Sequence, residues 1–205
     1  MLVLPKGVHL IPGYLGRAGQ EQLRDEVREV LKHAPLFVPT MPVSGKPMRV
    51  RMSNCGELGW VTDRDGGYRY QTFHPATGKS WPQMPQTLVR IWAELSSYPA
   101  PAEACLINFY GEDAKMGMHQ DRDEADFAAP VVSISLGDTC RFRVGGPNRG
   151  DRTVSFDLAS GDALILSGAG RLAFHGVDKI YPDTSSLLKQ GGRINLTLRR
   201  VTRPA

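Results

Sequence analysis

His119 and Asp121 stand two positions apart, and a second histidine, His175, follows far downstream. Residues i and i+2 of an extended strand point to the same face. On extended chain, this imidazole and this carboxylate can therefore grip one ion together. Two imidazoles and one carboxylate fill one face of an octahedral ion and leave three positions open, the donor set of non-haem Fe(II) oxygenases. Taken alone the spacing is common. The chain has five histidines, His9, His33, His74, His119 and His175. The plain alternative for each is an exposed or hydrogen-bonded side chain that holds no metal.

The C-terminal segment adds a second chemical feature. Residues 193–199 read Arg-Ile-Asn-Leu-Thr-Leu-Arg, a strict alternation. Ile194, Leu196 and Leu198 share one face of the expected strand, and Arg193, Asn195, Thr197 and Arg199 share the other. An antiparallel strand with a wet outer face accounts for such a pattern. Arginine at both ends of one face, with an amide and a hydroxyl between, also suits a small dianion, because each guanidinium can meet a carboxylate in a two-pronged hydrogen bond. Residues 104–110, Ala-Cys-Leu-Ile-Asn-Phe-Tyr, offer a second strand with Asn108 and Tyr110 on one face. A three-ligand ion site beside an anchor for a two-carboxylate acid is the equipment of an Fe(II)/2-oxoglutarate oxygenase. In such an enzyme the keto acid takes two of the open positions and O2 the third.

The order of the segments carries a resemblance. Asn-Cys-Gly-Glu-Leu-Gly-Trp (54–60), Ala-Cys-Leu-Ile-Asn-Phe-Tyr (104–110), Met-His-Gln-Asp-Arg-Asp-Glu (118–124), Ala-Pro-Val-Val-Ser-Ile-Ser-Leu-Gly (129–137), Phe-His-Gly-Val (174–177) and Arg-Ile-Asn-Leu-Thr-Leu-Arg (193–199) run in one sequence over most of residues 50–200. In this the chain resembles the AlkB family of Fe(II)/2-oxoglutarate-dependent nucleic-acid demethylases. The resemblance implies that His119, Asp121 and His175 bind Fe(II). It implies that Asn108, Tyr110, Arg193, Asn195 and Arg199 hold 2-oxoglutarate, one arginine on the distal carboxylate and the other near the metal-bound end. Arg193 is the favoured distal clamp, though the sequence leaves the choice open. The implied reaction couples decarboxylation of 2-oxoglutarate by O2 to hydroxylation of an N-alkyl group, with release of formaldehyde. The implied substrates are bases such as 1-methyladenine and 3-methylcytosine in single-stranded DNA, with double-stranded DNA and RNA as further candidates.

A base must leave its stack to reach such a centre. By the same resemblance Trp60 covers one face of the base and the His119 imidazole the other. Asp123, two residues beyond Asp121, accepts from an exocyclic amino group. Tyr68 and Arg149 approach the nucleotide, and Met52 falls where the family has a lid methionine. The plain alternatives are a packing tryptophan and methionine and a surface carboxylate. The family often has tryptophan near Leu166 and a Phe-Tyr pair where this chain has Ala173-Phe174; neither departure removes a ligand.

These residues must be positioned by the rest of the 205-residue chain, long enough for one domain with an extension. Leu23, Val27, Val30 and Leu31 recur at helical spacing over 19–33, and Pro35 ends that helix. Residues 34–50 hold four prolines and predict a loop. Residues 51–82, rich in Gly, aromatic and charged residues, predict short hairpins and loops forming a lid. Leu88, Ile91, Trp92 and Leu95 mark a second helix over 86–96. Strands are expected at 104–110, 116–121, 131–136, 140–144, 152–158, 162–167, 171–176 and 193–199, with loops 145–151 and 178–192 rimming the opening. The expected fold is mainly β with flanking helices (α+β), a double-stranded β-helix or jelly roll. In this reading residues 1–100 form an N-terminal extension whose nucleotide-recognition lid spans about 36–82, and residues 101–205 form the oxygenase core.

Composition narrows the setting. Lys and Arg number 25 against 21 Asp and Glu, a net charge of +4 and a pI near 9.1. That balance favours phosphate backbones without specifying them, and Arg49, Arg51, Arg64 and Arg69 concentrate it near the expected lid. Cys55, Cys105 and Cys140 form no CxxC pair and are odd in number, which fits reduced packing cysteines in a cytoplasmic protein. Pro5 and Gly7 interrupt the first apolar run too early for a signal peptide. No stretch approaches the ~20 apolar residues of a membrane span. A monomer with no membrane partner is expected. The rival readings are an oxygenase acting on methylated RNA or protein, a non-redox cupin-like metal-binding protein that needs no paired arginines, and a catalytically inactive nucleic-acid sensor.

Overall fold

The computed structural model describes residues 3–204. Met1 and Leu2, where the first apolar run begins, and Ala205 lie outside the described residues. Two helices form where the apolar spacing demands them. In α1 (Arg17–His33) Leu23, Val27 and Val30 are buried along one stripe, and Ala34-Pro35 ends the helix. In α2 (Gln86–Leu95), which follows Pro85, Leu88, Ile91 and Trp92 form the buried stripe.

Both stripes pack on the outer face of a six-stranded antiparallel sheet. Its strands are β1 (Val8–Ile11), β2 (Arg51–Gly56), β5 (Ala104–Tyr110), β7 (Val131–Gly137), β10 (Ala163–Leu166) and β12 (Arg193–Arg199), in the order β1-β10-β7-β12-β5-β2. A second sheet of four strands faces it. β6 (Met116–His119), β8 (Thr139–Val144), β9 (Val154–Leu158) and β11 (His175–Tyr181) run in the order β6-β11-β8-β9. β3 (Gly59–Asp63) and β4 (Gly67–Gln71) pair only with each other as a hairpin. The eight strands from β5 onward divide four and four between the two sheets, the jelly-roll arrangement the pattern predicts.

The alternation of β12 explains its placement. Ile194, Leu196 and Leu198 join Leu23, Val27, Leu88 and Trp92 in the core beneath the helices. The opposite face of β12 therefore turns between the two sheets. That face is not wet: Arg193 is 1% exposed and Arg199 6%. A second core fills the space between the sheets, with Leu106, Val131, Phe142, Phe156, Leu164, Leu166 and Val177.

Four expectations are corrected. The strand expected at 171–176 is instead His175–Tyr181, so part of the 178–192 loop is strand. A short 3-10 turn over Gly168–Gly170 and the buried Arg171 side chain occupy the approach to it. β6 ends at His119, so Asp121 lies just past the strand rather than within it. β2 belongs to the large sheet, paired with β5, and only β3 and β4 form a free hairpin. β1 was not anticipated: its four residues are too few for a clear period, yet they pair with β10. The large sheet thus draws strands from both sides of residue 100.

Two glycines permit close approaches that shape the site. Gly137 has φ +89°, and a Cβ there would lie 2.4 Å from the Gly192 carbonyl oxygen at the start of β12. Gly176, beside His175, faces β6, where a Cβ would lie 2.6 Å from the Met116 carbonyl oxygen. Among the described residues no helix is long and apolar enough to cross a membrane.

Candidate active site

β6 and β11 are paired so that His119 and His175 are Cα partners. Their ring centroids lie 4.5 Å apart. Asp121, on the irregular segment after β6, brings its carboxylate between them, 3.7 Å from His119 Nε2 and 3.8 Å from His175 Nε2. One ligand-type atom from each residue lies within 4.8 Å of the others. Each histidine places Nδ1 2.9 Å from a backbone carbonyl, Gly117 for His119 and Ala173 for His175. A carbonyl only accepts, so each Nδ1 carries the proton and donates it. Each Nε2 is left with a bare lone pair facing the carboxylate, the tautomer a metal ligand needs.

The electrostatics match. Burial alone would raise the Asp121 pKa, but the Arg199 guanidinium, followed by the two imidazoles, holds the carboxyl well below its usual range. Burial, then the nearby His119, pushes His175 down to about 4. Arg199 Nη2 donates to Asp121 Oδ1 at 2.8 Å, leaving Oδ2 as the carboxylate's free oxygen. A buried carboxylate between two imidazoles, with one ligand-type atom of each converging, fits a divalent cation.

Of the second predicted constellation, Asn108, Tyr110, Asn195 and Arg199 line one cavity, while Arg193 is absent from its lining and meets it through Asn195. Asn108 and Asn195 are Cα partners across β5 and β12, as are Tyr110 and Arg193. Arg193 Nη2 donates to Ser135 Oγ and to Asn195 Oδ1, each at 2.9 Å, both neutral acceptors. Its Nε and Nη1 are buried with no partner, as are Asn108 Oδ1 and Arg199 Nε. A buried guanidinium with unmet donors is costly unless an anion joins it. The unmet guanidinium N–H groups of Arg193 and Arg199 fit a small carboxylic diacid.

A cavity of about 520 Å³ opens over the triad and runs between the sheets. Asn108, Tyr110, Asn195 and Arg199 line its inner part, and Trp60, Tyr68, Asp123 and Arg149 its mouth. The Trp60 and Tyr68 rings stack at 5.6 Å and 21° on the β3–β4 hairpin. Trp60 Nε1 donates to Asp123 Oδ2 at 2.7 Å, so the carboxylate expected to meet a base is already tied to the ring expected to stack on it. Asn54 clamps both backbone groups of Trp60, its Oδ1 accepting from the N–H and its Nδ2 donating to the carbonyl. Arg149 lies over the Phe174 ring at 4.9 Å. Met52 sits opposite Asn108 in β2, buried in the cavity wall rather than on the hairpin. Leu166 also lines the cavity, while Ala173 serves His175 through its backbone.

Sequence reading passed over Tyr70, Glu124 and Arg171. Arg171 Nη2 donates to Glu124 Oε2 at 3.0 Å and its Nη1 to the Asp121 carbonyl at 2.7 Å. Tyr70 donates to Glu124 Oε1 and accepts from Arg199 Nη1 at 3.0 Å. The available signal was the stretch Asp121-Arg-Asp-Glu124, in which Glu124 reads as one more surface carboxylate but is 4% exposed.

A family model described as the 2OG-Fe(II) oxygenase superfamily matches residues 7–199. A Caulobacter vibrioides protein named alpha-ketoglutarate-dependent dioxygenase AlkB homolog is 51% identical over 199 residues, covering 97% of this chain and 90% of its own. The Escherichia coli K12 protein named alpha-ketoglutarate-dependent dioxygenase AlkB is 37% identical over 201 residues, covering 96% and 91%. A solved structure described as that of OsALKBH1 superposes with a TM-score of 0.78 at 30% identity, over 97% of this chain and all of the other.

Proposed function

The chain belongs to the AlkB branch of the 2OG-Fe(II) oxygenase superfamily, and on that premise we propose that it removes alkyl groups oxidatively from base nitrogens in nucleic acid. Its substrates are N-alkylated bases such as 1-methyladenine and 3-methylcytosine in DNA, preferably single-stranded. One observation carries the reading. A single cavity joins a three-ligand ion site, polar groups in contact with a buried unpaired guanidinium, and an aromatic platform beside a carboxylate.

In this reading His119, Asp121 and His175 hold Fe(II). Arg193 takes the distal carboxylate of 2-oxoglutarate, because its free N–H groups lack an anion while Arg199 is committed to Asp121. Arg199 serves the end near the ion, and Asn108, Tyr110 and Asn195 complete the cradle. When bound, iron, 2-oxoglutarate and O2 supply the oxidising equivalent: the diacid becomes succinate and CO2, and the alkyl carbon gains a hydroxyl and leaves as formaldehyde. The protein's task is to orient and to exclude water. Trp60, oriented by Asn54 and Asp123, presents its ring to the flipped base, and His119 covers the other face. Asp123 accepts from the exocyclic amino group through Oδ1, the oxygen the Trp60 indole leaves open. Tyr68 and Arg149 meet the nucleotide and its phosphates, and Met52 walls the pocket.

Of residues 36–82, the loop 36–50 and the hairpin segment 57–82 act as the recognition lid over the 101–205 core, on either side of β2, which belongs to the large sheet. Single strands are preferred because extruding a base from them costs less unstacking. Three free buried cysteines suit a reducing cytoplasm, where the enzyme acts as a monomer. The test is anaerobic. Fe(II) and 2-oxoglutarate added to the purified protein are expected to give a visible charge-transfer band, and O2 with a methylated single-stranded oligonucleotide is expected to release formaldehyde. Folded protein without the band defeats the reading. A band with no formaldehyde from DNA, and release from methylated RNA instead, moves the substrate to RNA.

A further inference from the structure

The β3–β4 hairpin is held to the segment after β6 by two consecutive acidic residues. Asp123 accepts from Trp60 on β3, and Glu124 accepts from Tyr70 on β4. Trp60 and Tyr70 are Cα partners across the hairpin, and the Trp60 ring stacks on Tyr68. The platform offered to a base and the hydroxyl of Tyr70 therefore belong to one small two-stranded unit. From that hydroxyl a short path leads to the ion site. Arg199 Nη1 donates to Tyr70 at 3.0 Å, and Arg199 Nη2 donates to Asp121 Oδ1 at 2.8 Å.

The phenol is not there to balance charge. Asp121 and Glu124 already face Arg171 and Arg199, two anions against two cations, all buried. What Tyr70 adds is a mechanical tie between a hairpin that pairs with no other strand and the carboxylate of the triad. Hydrogen bonds to ionised partners in a buried setting are short and directional. A displacement of the hairpin when a base seats on Trp60 is thus passed to Arg199 and on to Asp121.

We propose that Tyr70 is a positioning residue that couples base docking on the hairpin to the arrangement of the metal carboxylate. The proposal rests on the functional reading above and adds a cooperative link to it. Coupling between two sites is reciprocal. The affinity for a methylated oligonucleotide must therefore depend on whether metal and diacid are present, and Tyr70 must carry that dependence.

The test uses Mn(II) with 2-oxoglutarate, which fills the site without turnover, and fluorescence anisotropy of a labelled methylated oligonucleotide. In the wild-type protein, Mn(II) and 2-oxoglutarate are expected to tighten oligonucleotide binding by about fivefold or more, the lower end of typical coupling. In Tyr70→Phe the factor falls toward one, while the affinity without metal stays near wild type. Asp123→Asn serves as the contrast: it weakens oligonucleotide binding but keeps the factor. A merely structural loss would lower melting temperature and both affinities together without abolishing their ratio. A Tyr70→Phe factor equal to wild type overturns the proposal, and so does a wild-type factor of one, which requires no variant. Folded wild-type protein that gives no charge-transfer band with Fe(II) and 2-oxoglutarate overturns the functional reading itself, a distinct result.

Discussion

Arg193 is where a single side chain carries the most specific expectation. Its guanidinium is sealed from solvent, bonded to a serine and an asparagine, and short of an anion. Losing a buried charge-assisted contact of this kind costs about 1.5–3 kcal/mol. Arg193→Ala is therefore expected to raise the KM for 2-oxoglutarate by roughly ten- to a hundredfold. At saturating diacid the Fe(II) charge-transfer band should return, since the triad is untouched; steady-state kinetics and the band together check this. An unchanged KM would remove Arg193 from the diacid site. At this scale the strict alternation of 193–199 made both arginines legible, and the His-x-Asp spacing marked the ion site. Tyr70 and Glu124 were not legible. Their importance arises from a contact between a hairpin and a loop far apart in sequence, and neither residue type nor local period reports such a meeting.

Among the elements, helices and strands with clear periods were read within a residue or two, as with Ala104–Tyr110 and Arg193–Arg199. β11 was misplaced because Arg171-Leu-Ala-Phe looks like alternating strand. In fact Arg171 is buried by donating to the Ala129 and Asp121 carbonyls and to Glu124, which fixes a turn there. The strand begins only at His175, where pairing with β6 becomes possible. That pairing depends on Gly176. A Cβ would lie 2.6 Å from the Met116 carbonyl oxygen and 3.1 Å from that of Gly117, the acceptor that orients His119. Gly176→Ala is expected to push β6 away and weaken Mn(II) or Fe(II) binding about 10–100-fold, the usual cost of disturbing a ligand's orienting partner. Calorimetric titration of the metal measures it. Wild-type affinity would show that the strand separation has slack.

For the molecule as a whole, the count of eight strands from β5 onward and the two-layer class were accessible from turn spacing. The sheet order was not, because it is decided by pairings such as β1 with β10 and β2 with β5 that no local pattern contains. The finished arrangement has an inner and an outer end. Arg193, 1% exposed, touches the inner end of the cavity through Asn195, and Tyr68, 49% exposed, stands at the mouth. On the proposed reading, a nucleic acid seated on the hairpin stoppers the cavity above the smaller acid. Kinetics should be ordered, with the diacid first on and succinate last off. Saturating unmethylated single-stranded competitor is expected to slow the release of labelled 2-oxoglutarate preloaded with Mn(II), followed by chase with unlabelled diacid, and an unchanged release rate would mean a second doorway to the interior. The same stoppering makes the repaired strand's departure the gate on every cycle, so a substrate that clings after repair slows the enzyme however fast the oxidation runs.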